Sequence, residues 1–321
     1  MPLPAPLQRL AILDDYQGVT LSTGPWDRLS LAIEAFRDTV KDLDTLAARL
    51  APFDTILLMR ERTPFPRALI ERLPKLRLLI TTGGRNRSVD AAACAERGIT
   101  FCGTPSVGDP TADLTWGLII GLLRDIPAQQ QALREGRWQT RLGIALEGQT
   151  LGVIGLGKLG SRVARIGAAF GMRILAWSPN LTEDRAAAAG ATRVDKETLL
   201  READVVTIHI VLSERSRDTI AAAELALMKP SAYLVNTSRG PIVNQAALLR
   251  ALQAGRIAGA GLDVFEEEPL PRDHPLLAAP NTLLTPHLGY VTQQNYHAYF
   301  TGAVEAVEAY LAGSPIREIT P

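Results

Sequence analysis

The chain has 321 residues, a length that suits about two domains. With 46% hydrophobic and 21% charged residues it has the composition of an ordinary globular protein. Its 34 basic residues balance its 34 acidic ones, which argues against a nucleic-acid partner, and its two cysteines, Cys94 and Cys102, suit buried thiols better than a disulfide.

The opening MPLPAPLQRL has no apolar core flanked by basic residues, so no signal peptide is expected, and the prolines mark a loose lead-in to the first strand. In chain order, LAIL (10–13), TILLM (55–59), LRLLITT (76–82) and ITF (99–101) read as four strands of one unit. Between them Pro25–Phe36, Asp44–Leu50, Phe65–Leu73 and Asp90–Arg97 read as helices. The apolar run Leu114–Leu123 is too short to span a bilayer, which needs about 20 residues, so no membrane partner is expected and the run reads as a buried crossover helix. The rest of 107–148 reads as a projecting arm whose apolar residues, Trp138 among them, need a partner surface. A homodimer is the simplest source of one.

A second series begins at LGVIG (151–155) and continues through MRILAW (172–177), DVVTIHI (204–210), AYLVN (232–236), GAGLDV (259–264) and TLLT (282–285). Six strands with intervening helices predict a complete nucleotide-binding fold, after which a long helix over 292–311 returns to the first unit. The expected fold class is therefore α/β with two doubly wound parallel-sheet domains. A flavodoxin-like substrate domain would occupy 1–106 with 292–321, and a Rossmann dinucleotide-binding domain with its arm would occupy 107–291.

Within LGVIGLGKLG, Gly155, Gly157 and Gly160 form a G-x-G-x-x-G between a strand and a helix over 158–170. The first glycine permits the tight turn, the second lets backbone approach a pyrophosphate, and the third lets helix and strand pack closely. The helix start, with Lys158 and Leu159, offers free N–H groups to the phosphates. The acid that normally comes about 20 residues later, gripping the ribose of NAD, is replaced in AWSPN by Ser178, with Asn180 two residues on. No arginine comes at once to clamp a 2′-phosphate. The cofactor is thus expected to be NAD or NADP, with weak discrimination.

Three more stretches fall at the carboxyl ends of later strands, where such sheets bind ligands. LVNTSRGPIVN (234–244) carries Arg239, GLDVFEEEPLP (261–271) carries Asp263 and Glu268, and LLTPHLGY (283–290) carries His287. One sheet edge thereby collects an anion binder, an acid and a group that titrates near neutrality. A metal site drawn from His274, His287, Asp263 and Glu268 lacks ligand spacing, so no metal is expected. His209 ends a strand near the cofactor groove and suits packing or cofactor contact better than catalysis.

With the glycine turn, these stretches resemble the D-isomer-specific 2-hydroxyacid dehydrogenase family, which includes glycerate and phosphoglycerate dehydrogenases, over nearly the whole chain from Leu76. The resemblance implies hydride transfer between a nicotinamide cofactor and the C2 of a small D-2-hydroxy or 2-oxo acid in a cytoplasmic enzyme. His287 would be the acid/base, Glu268 its partner, and Arg239 the holder of the substrate's carboxylate and carbonyl. It further implies a cofactor-facing set of Thr237, Ser238, Asp263 and Gly289. It also implies a substrate loop in TTGGRNRSVD (81–90), with Gly83, Gly84 and Arg85 at the carboxylate; here the loop departs from the family's commoner V-G-x-D-N-I-D form, and Arg85, Asn86 and Arg87 add donors and charge, either for an anionic substrate tail or as solvated surface. The chain's end soon after its last helix argues against the regulatory domain of some phosphoglycerate dehydrogenases. Two rivals stand beside this reading, a nucleotide-sensing corepressor-like binding protein on the same fold and a formate- or phosphite-type dehydrogenase.

Overall fold

A computed structural model describes residues 6–321, so the start of the proline-rich lead-in, residues 1–5, lies outside the described residues. The chain divides into two compact units, one running to Gly108 and resuming with Thr292–Pro321, the other formed by Asp109–Val291.

The first unit alternates β1 (Arg9–Ile12), α1 (Thr20–Thr23), β2 (Ala32–Ala35), α2 (Leu43–Leu50), β3 (Thr55–Leu58), α3 (Arg67–Ile70), β4 (Leu78–Thr81), α4 (Ala91–Glu96) and β5 (Thr100–Gly103). All five strands are parallel in the order β2-β1-β3-β4-β5, the flavodoxin-like winding. Strands β3 and β4 are buried at every position and therefore read as apolar runs, broken only by the terminal Thr55 and Thr81. The helix expected over Pro25–Phe36 is not formed. Trp26–Arg28 makes one 3-10 turn, anchored by the buried Trp26 ring donating to Thr20 O at 2.8 Å, and Ala32–Ala35 pairs with β1 as an edge strand. Its exposure alternates with period two, which fits a strand with one neighbour and not a helix. The helix expected over Phe65–Leu73 shrinks to the four residues of α3, because Phe65 instead bridges to Val89 and Pro66 stands in extended backbone as the N-cap.

The second unit opens with α5 (Pro110–Leu123) and α6 (Ile126–Arg134) and then winds β6 (Thr150–Ile154), α7 (Lys158–Ala169), β7 (Arg173–Trp177), α8 (Glu183–Ala188), β8 (Thr192–Arg193), α9 (Lys196–Glu202), β9 (Val205–Ile208), α10 (Ala222–Leu227), β10 (Tyr233–Asn236), α11 (Gln245–Gln253), β11 (Gly259–Leu262) and β12 (Thr282–Leu284). Its sheet runs β12-β11-β10-β9-β6-β7-β8, the doubly wound dinucleotide order with one strand more than the six expected. The addition, β8, is two residues long, too short to register as a periodic run. One apolar cluster covers each face of this sheet. The winding reverses between β6 and β9, which opens a crevice at their carboxyl ends.

The last helix, α12 (Gln293–Leu311), is capped by the Thr292 hydroxyl and packs within the first unit against α1, β4 and β5. In the segment expected as an arm, α5 is largely buried, whereas Leu133, Trp138 and Leu142 are exposed, Trp138 by 76%. Among the described residues no helix is long and apolar enough to cross a membrane.

Candidate active site

Three neighbouring strands of the second unit end flush, with Asn236, Leu262 and Leu284 in register. Each is succeeded at once by one of the expected groups. After β10, Asn236 organises the turn, its Nδ2 donating to Arg239 O at 2.9 Å and its Oδ1 accepting Ser238 N at 3.0 Å. Arg239 stands in extended backbone and its Nη1 donates to Ser238 O at 2.7 Å. Gly240 comes next because nothing larger fits. A Cβ there would lie 2.0 Å from the backbone carbon of Phe265. That close approach holds the loop after β10 against the loop after β11, which carries Glu268.

His287 and Glu268 meet through Nδ1 and Oε2 at 2.6 Å, while Oε1 of the same carboxylate accepts Phe265 N at 3.0 Å. Both side chains are mostly covered, 21% and 25% exposed, and the Tyr290 ring stands edge-on to the imidazole at 5.8 Å. His287 adopts a left-handed backbone with φ of 55°, a conformation uncommon for residues other than glycine. The strain is held from behind by Asp263. This fully buried residue takes three donors from the histidine's own loop: Thr285 Oγ1 at 2.6 Å, Leu288 N at 2.6 Å and Gly289 N at 2.9 Å. Burial raises the Asp263 carboxyl above its ordinary range, while the Thr285 hydroxyl, the loop amides and the charge of His287 pull it back in part. The anchor continues into α5, since Thr111 Oγ1 donates to Gly289 O at 3.0 Å and Thr115 Oγ1 meets Thr237 Oγ1 at 2.9 Å.

Across the reversal of the winding, the glycine turn has the form a dinucleotide requires. Gly155 has φ of 98° and lies so close to His209 that a Cβ would stand 2.7 Å from that backbone carbon. A Cβ at Gly160 would meet Gly155 O at 2.0 Å, whereas one at Gly157 would meet nothing within 4 Å. The middle glycine thus faces open space at the start of α7, and a pyrophosphate fits there. Leu159 is half-buried, and Lys158, whose side chain is 81% exposed, pairs with Asp109 at 2.9 Å. Ser178 lies just past β7 and Asn180 is exposed, with Leu181 N closing the turn onto Ser178 O at 3.1 Å. Ser238 donates to Ile210 O, tying the loop after β10 to that after β9. His209 turns Nε2 to Thr207 Oγ1 at 3.0 Å, and its buried Nδ1 has no partner among the described residues. Burial pushes this histidine down to about 3, so it stays neutral near pH 7.

A family model described as D-isomer specific 2-hydroxyacid dehydrogenase, NAD binding domain, matches residues 116–289. A D-3-phosphoglycerate dehydrogenase of Methanocaldococcus jannaschii is 35% identical over 308 residues, 95% of this chain and 55% of that relative, so the chain spans about half of its length. A glyoxylate reductase of Aeropyrum pernix is 39% identical over 255 residues, 76% of each chain. The chain belongs to the D-isomer-specific 2-hydroxyacid dehydrogenase family. Membership makes it an oxidoreductase with a nicotinamide-cofactor domain. Among solved structures, a phosphoglycerate oxidoreductase from Vibrio cholerae matches with a TM-score of 0.90 at 37% identity, covering 96% of this chain and all of that one. A D-lactate dehydrogenase from Aquifex aeolicus, solved with NAD and lactic acid, matches at 0.79 and 27% identity over 95% and 96% of the two chains.

For a member of this family the loop after β4 departs from the sequence expectation in two respects. The Gly83 amide is already donated to Thr104 Oγ1 at 2.8 Å, which leaves the amides of Gly84 and Arg85 as the donors without a hydrogen bond among the described residues. Asn86 adds no donor to the surface. It is buried, with Nδ2 on Arg60 O at 2.6 Å and Thr81 Oγ1 at 3.0 Å and Oδ1 on Ser88 N at 3.0 Å. Sequence reasoning missed Arg60, just past β3, which has φ of 54° and donates Nη1 to Thr82 O at 3.2 Å. Its guanidinium covers Gly83 so closely that a Cβ there would lie 1.8 Å from Nη1. The signal was legible in ILLMRER, where a charge succeeds a buried strand directly at the carboxyl edge.

Proposed function

We propose that the chain interconverts a 2-oxo acid and its D-2-hydroxy acid at the expense of NADH or NADPH. The observation that carries this is the 2.6 Å His287–Glu268 pair on the sheet edge that also carries Arg239. The nicotinamide, when bound, exchanges a hydride with C2 of the acid. With Nδ1 committed to Glu268, His287 exchanges the proton of the C2 oxygen through Nε2, giving it in reduction and taking it in oxidation. Glu268 fixes the ring orientation and stabilises the imidazolium. Arg239, permanently charged and planar, binds the carboxylate and polarises the C2 carbonyl. Gly157, Lys158, Leu159 and Gly160 hold the pyrophosphate by backbone N–H groups. Thr237, Ser238, Asp263, Gly289 and His209 line the cofactor's path, and Ser178 with Asn180 meets its ribose.

Without a carboxylate at position 178, a 2′-phosphate is not repelled, and both cofactors are accepted. The exposed Leu133, Trp138 and Leu142 support a homodimer, and sedimentation as a monomer at micromolar concentration would refute that. The reaction is tested by following cofactor oxidation with a panel of 2-oxo acids and each reduced cofactor. Turnover with at least one acid, blocked in His287→Ala, is the expected result. Nucleotide binding without turnover on any acid overturns the reading in favour of a nucleotide-sensing binding protein.

A further inference from the structure

We propose that Arg193 reads the 2′-phosphate of NADP and biases the site toward that cofactor, a proposal that rests on the nicotinamide reading above. No arginine comes at once after Ser178 in the sequence, Arg185 lying seven residues on in α8, but the fold brings Arg193 back. Strand β8 pairs with β7 through Leu175–Thr192 and Ala176–Arg193, so Arg193 emerges beside the residue two before Ser178. Its Nε donates to Leu181 O at 2.7 Å, and Leu181 N in turn closes the turn onto Ser178 O. A turn of this kind keeps its first and last Cα atoms within about 7 Å, so the guanidinium stands against the turn that carries Ser178 and Asn180.

The Nε bond fixes the plane of the guanidinium and leaves both Nη groups without a hydrogen bond among the described residues. The nearest acid, Glu183, is 3.9 Å away and 87% exposed, too loose a pair to occupy the arginine; Asp184 beside it is also exposed. The Ser178 hydroxyl and the Asn180 side chain likewise make no hydrogen bond among the described residues. Two neutral polar residues on this turn and one planar cation against it therefore lie where an acid would hold the ribose of NAD, and that set is complementary to a phosphate dianion.

The test titrates the intact chain calorimetrically with 2′,5′-ADP and with 5′-ADP, in the parent, Arg193→Gln and Arg193→Lys. Arg193→Gln is expected to weaken 2′,5′-ADP by about tenfold or more, as loss of a charge-assisted bond does, and to leave 5′-ADP within about twofold. Arg193→Lys should recover part of the loss. Equal weakening of both ligands would show that the arginine only props the turn, and no change in either would place phosphate recognition elsewhere. Both results overturn the proposal while leaving the nicotinamide reading intact. A parent that binds neither ligand overturns both.

Discussion

Replacing Glu268 by Gln sets two hydrogen bonds against each other. The carboxylate serves His287 Nδ1 with Oε2 at 2.6 Å and the Phe265 amide with Oε1 at 3.0 Å. A carboxamide offers one acceptor oxygen and one donor nitrogen, so it cannot accept from both. If its oxygen stays with Phe265, its NH₂ faces Nδ1 and selects the tautomer that cannot become imidazolium without a donor–donor clash. If the oxygen turns to His287, the clash moves to Phe265. Either arrangement forfeits a charge-assisted hydrogen bond worth about 1.5–3 kcal/mol, and with the side chains only 21% and 25% exposed most of that survives solvent screening. At about 1.4 kcal/mol per factor of ten, kcat/KM for the best oxo acid should fall roughly 10- to 150-fold. The assay is steady-state kinetics on that acid, with 5′-ADP affinity measured alongside as a check on the fold. A kcat/KM within about threefold of the parent, at unchanged nucleotide affinity, would refute the pairing as a functional one.

His287→Ala should lower kcat by about 10²–10⁴ while 5′-ADP still binds; turnover unchanged across the pH range would remove it from the reaction. Arg239→Lys should raise KM for the oxo acid and lower kcat while leaving the cofactor's KM in place, because an ammonium cannot reproduce the planar fork; parent-like kinetics would locate the carboxylate elsewhere. Ser178→Asp should move the NADH-to-NADPH ratio of kcat/KM toward NADH by about tenfold or more, and an unaltered ratio would mean that another residue reads the ribose. Burial pushes the thiols of Cys94 and Cys102 up to about 11, so above pH ~9 the native chain keeps protons that the unfolded chain gives up. Unfolding free energy from urea titrations should therefore decline between pH about 9 and about 11, and less so in the Cys94→Ala, Cys102→Ala double variant; parallel declines would count against it.

Most strands were legible because parallel strands buried on both faces are almost wholly apolar, as at Thr55–Leu58 and Val205–Ile208, each with one buried threonine. The failures sit where that rule lapses. Strand β2 lies at an edge, half exposed, behind a Pro-Trp pair that imitates a helix start, and β8 is too short to show a period. In the candidate site, Arg239, Glu268 and His287 were legible as groups just past apolar strands. The supports behind them were not. That Asp263 spends both oxygens on the histidine's loop, or that Gly83 and Asn86 are already engaged, depends on contacts across the fold that no local spacing encodes. Arg193 is the same lesson in reverse, 15 residues beyond Ser178 in sequence and against the same turn in space.

The loop carrying His287 has little freedom left to lose. Its amides at Leu288 and Gly289 end on a carboxylate with no solvent exposure, and the Gly289 carbonyl is held by Thr111. Such amides are expected to exchange with solvent as slowly as those of a central strand, although they lie outside any strand or helix. Segments that close over a ligand are drawn from the loosely held parts of a fold, and this one is not among them. In the proposed reaction an arriving acid would therefore meet an imidazole already set in place, with no part of its binding energy diverted to ordering that loop.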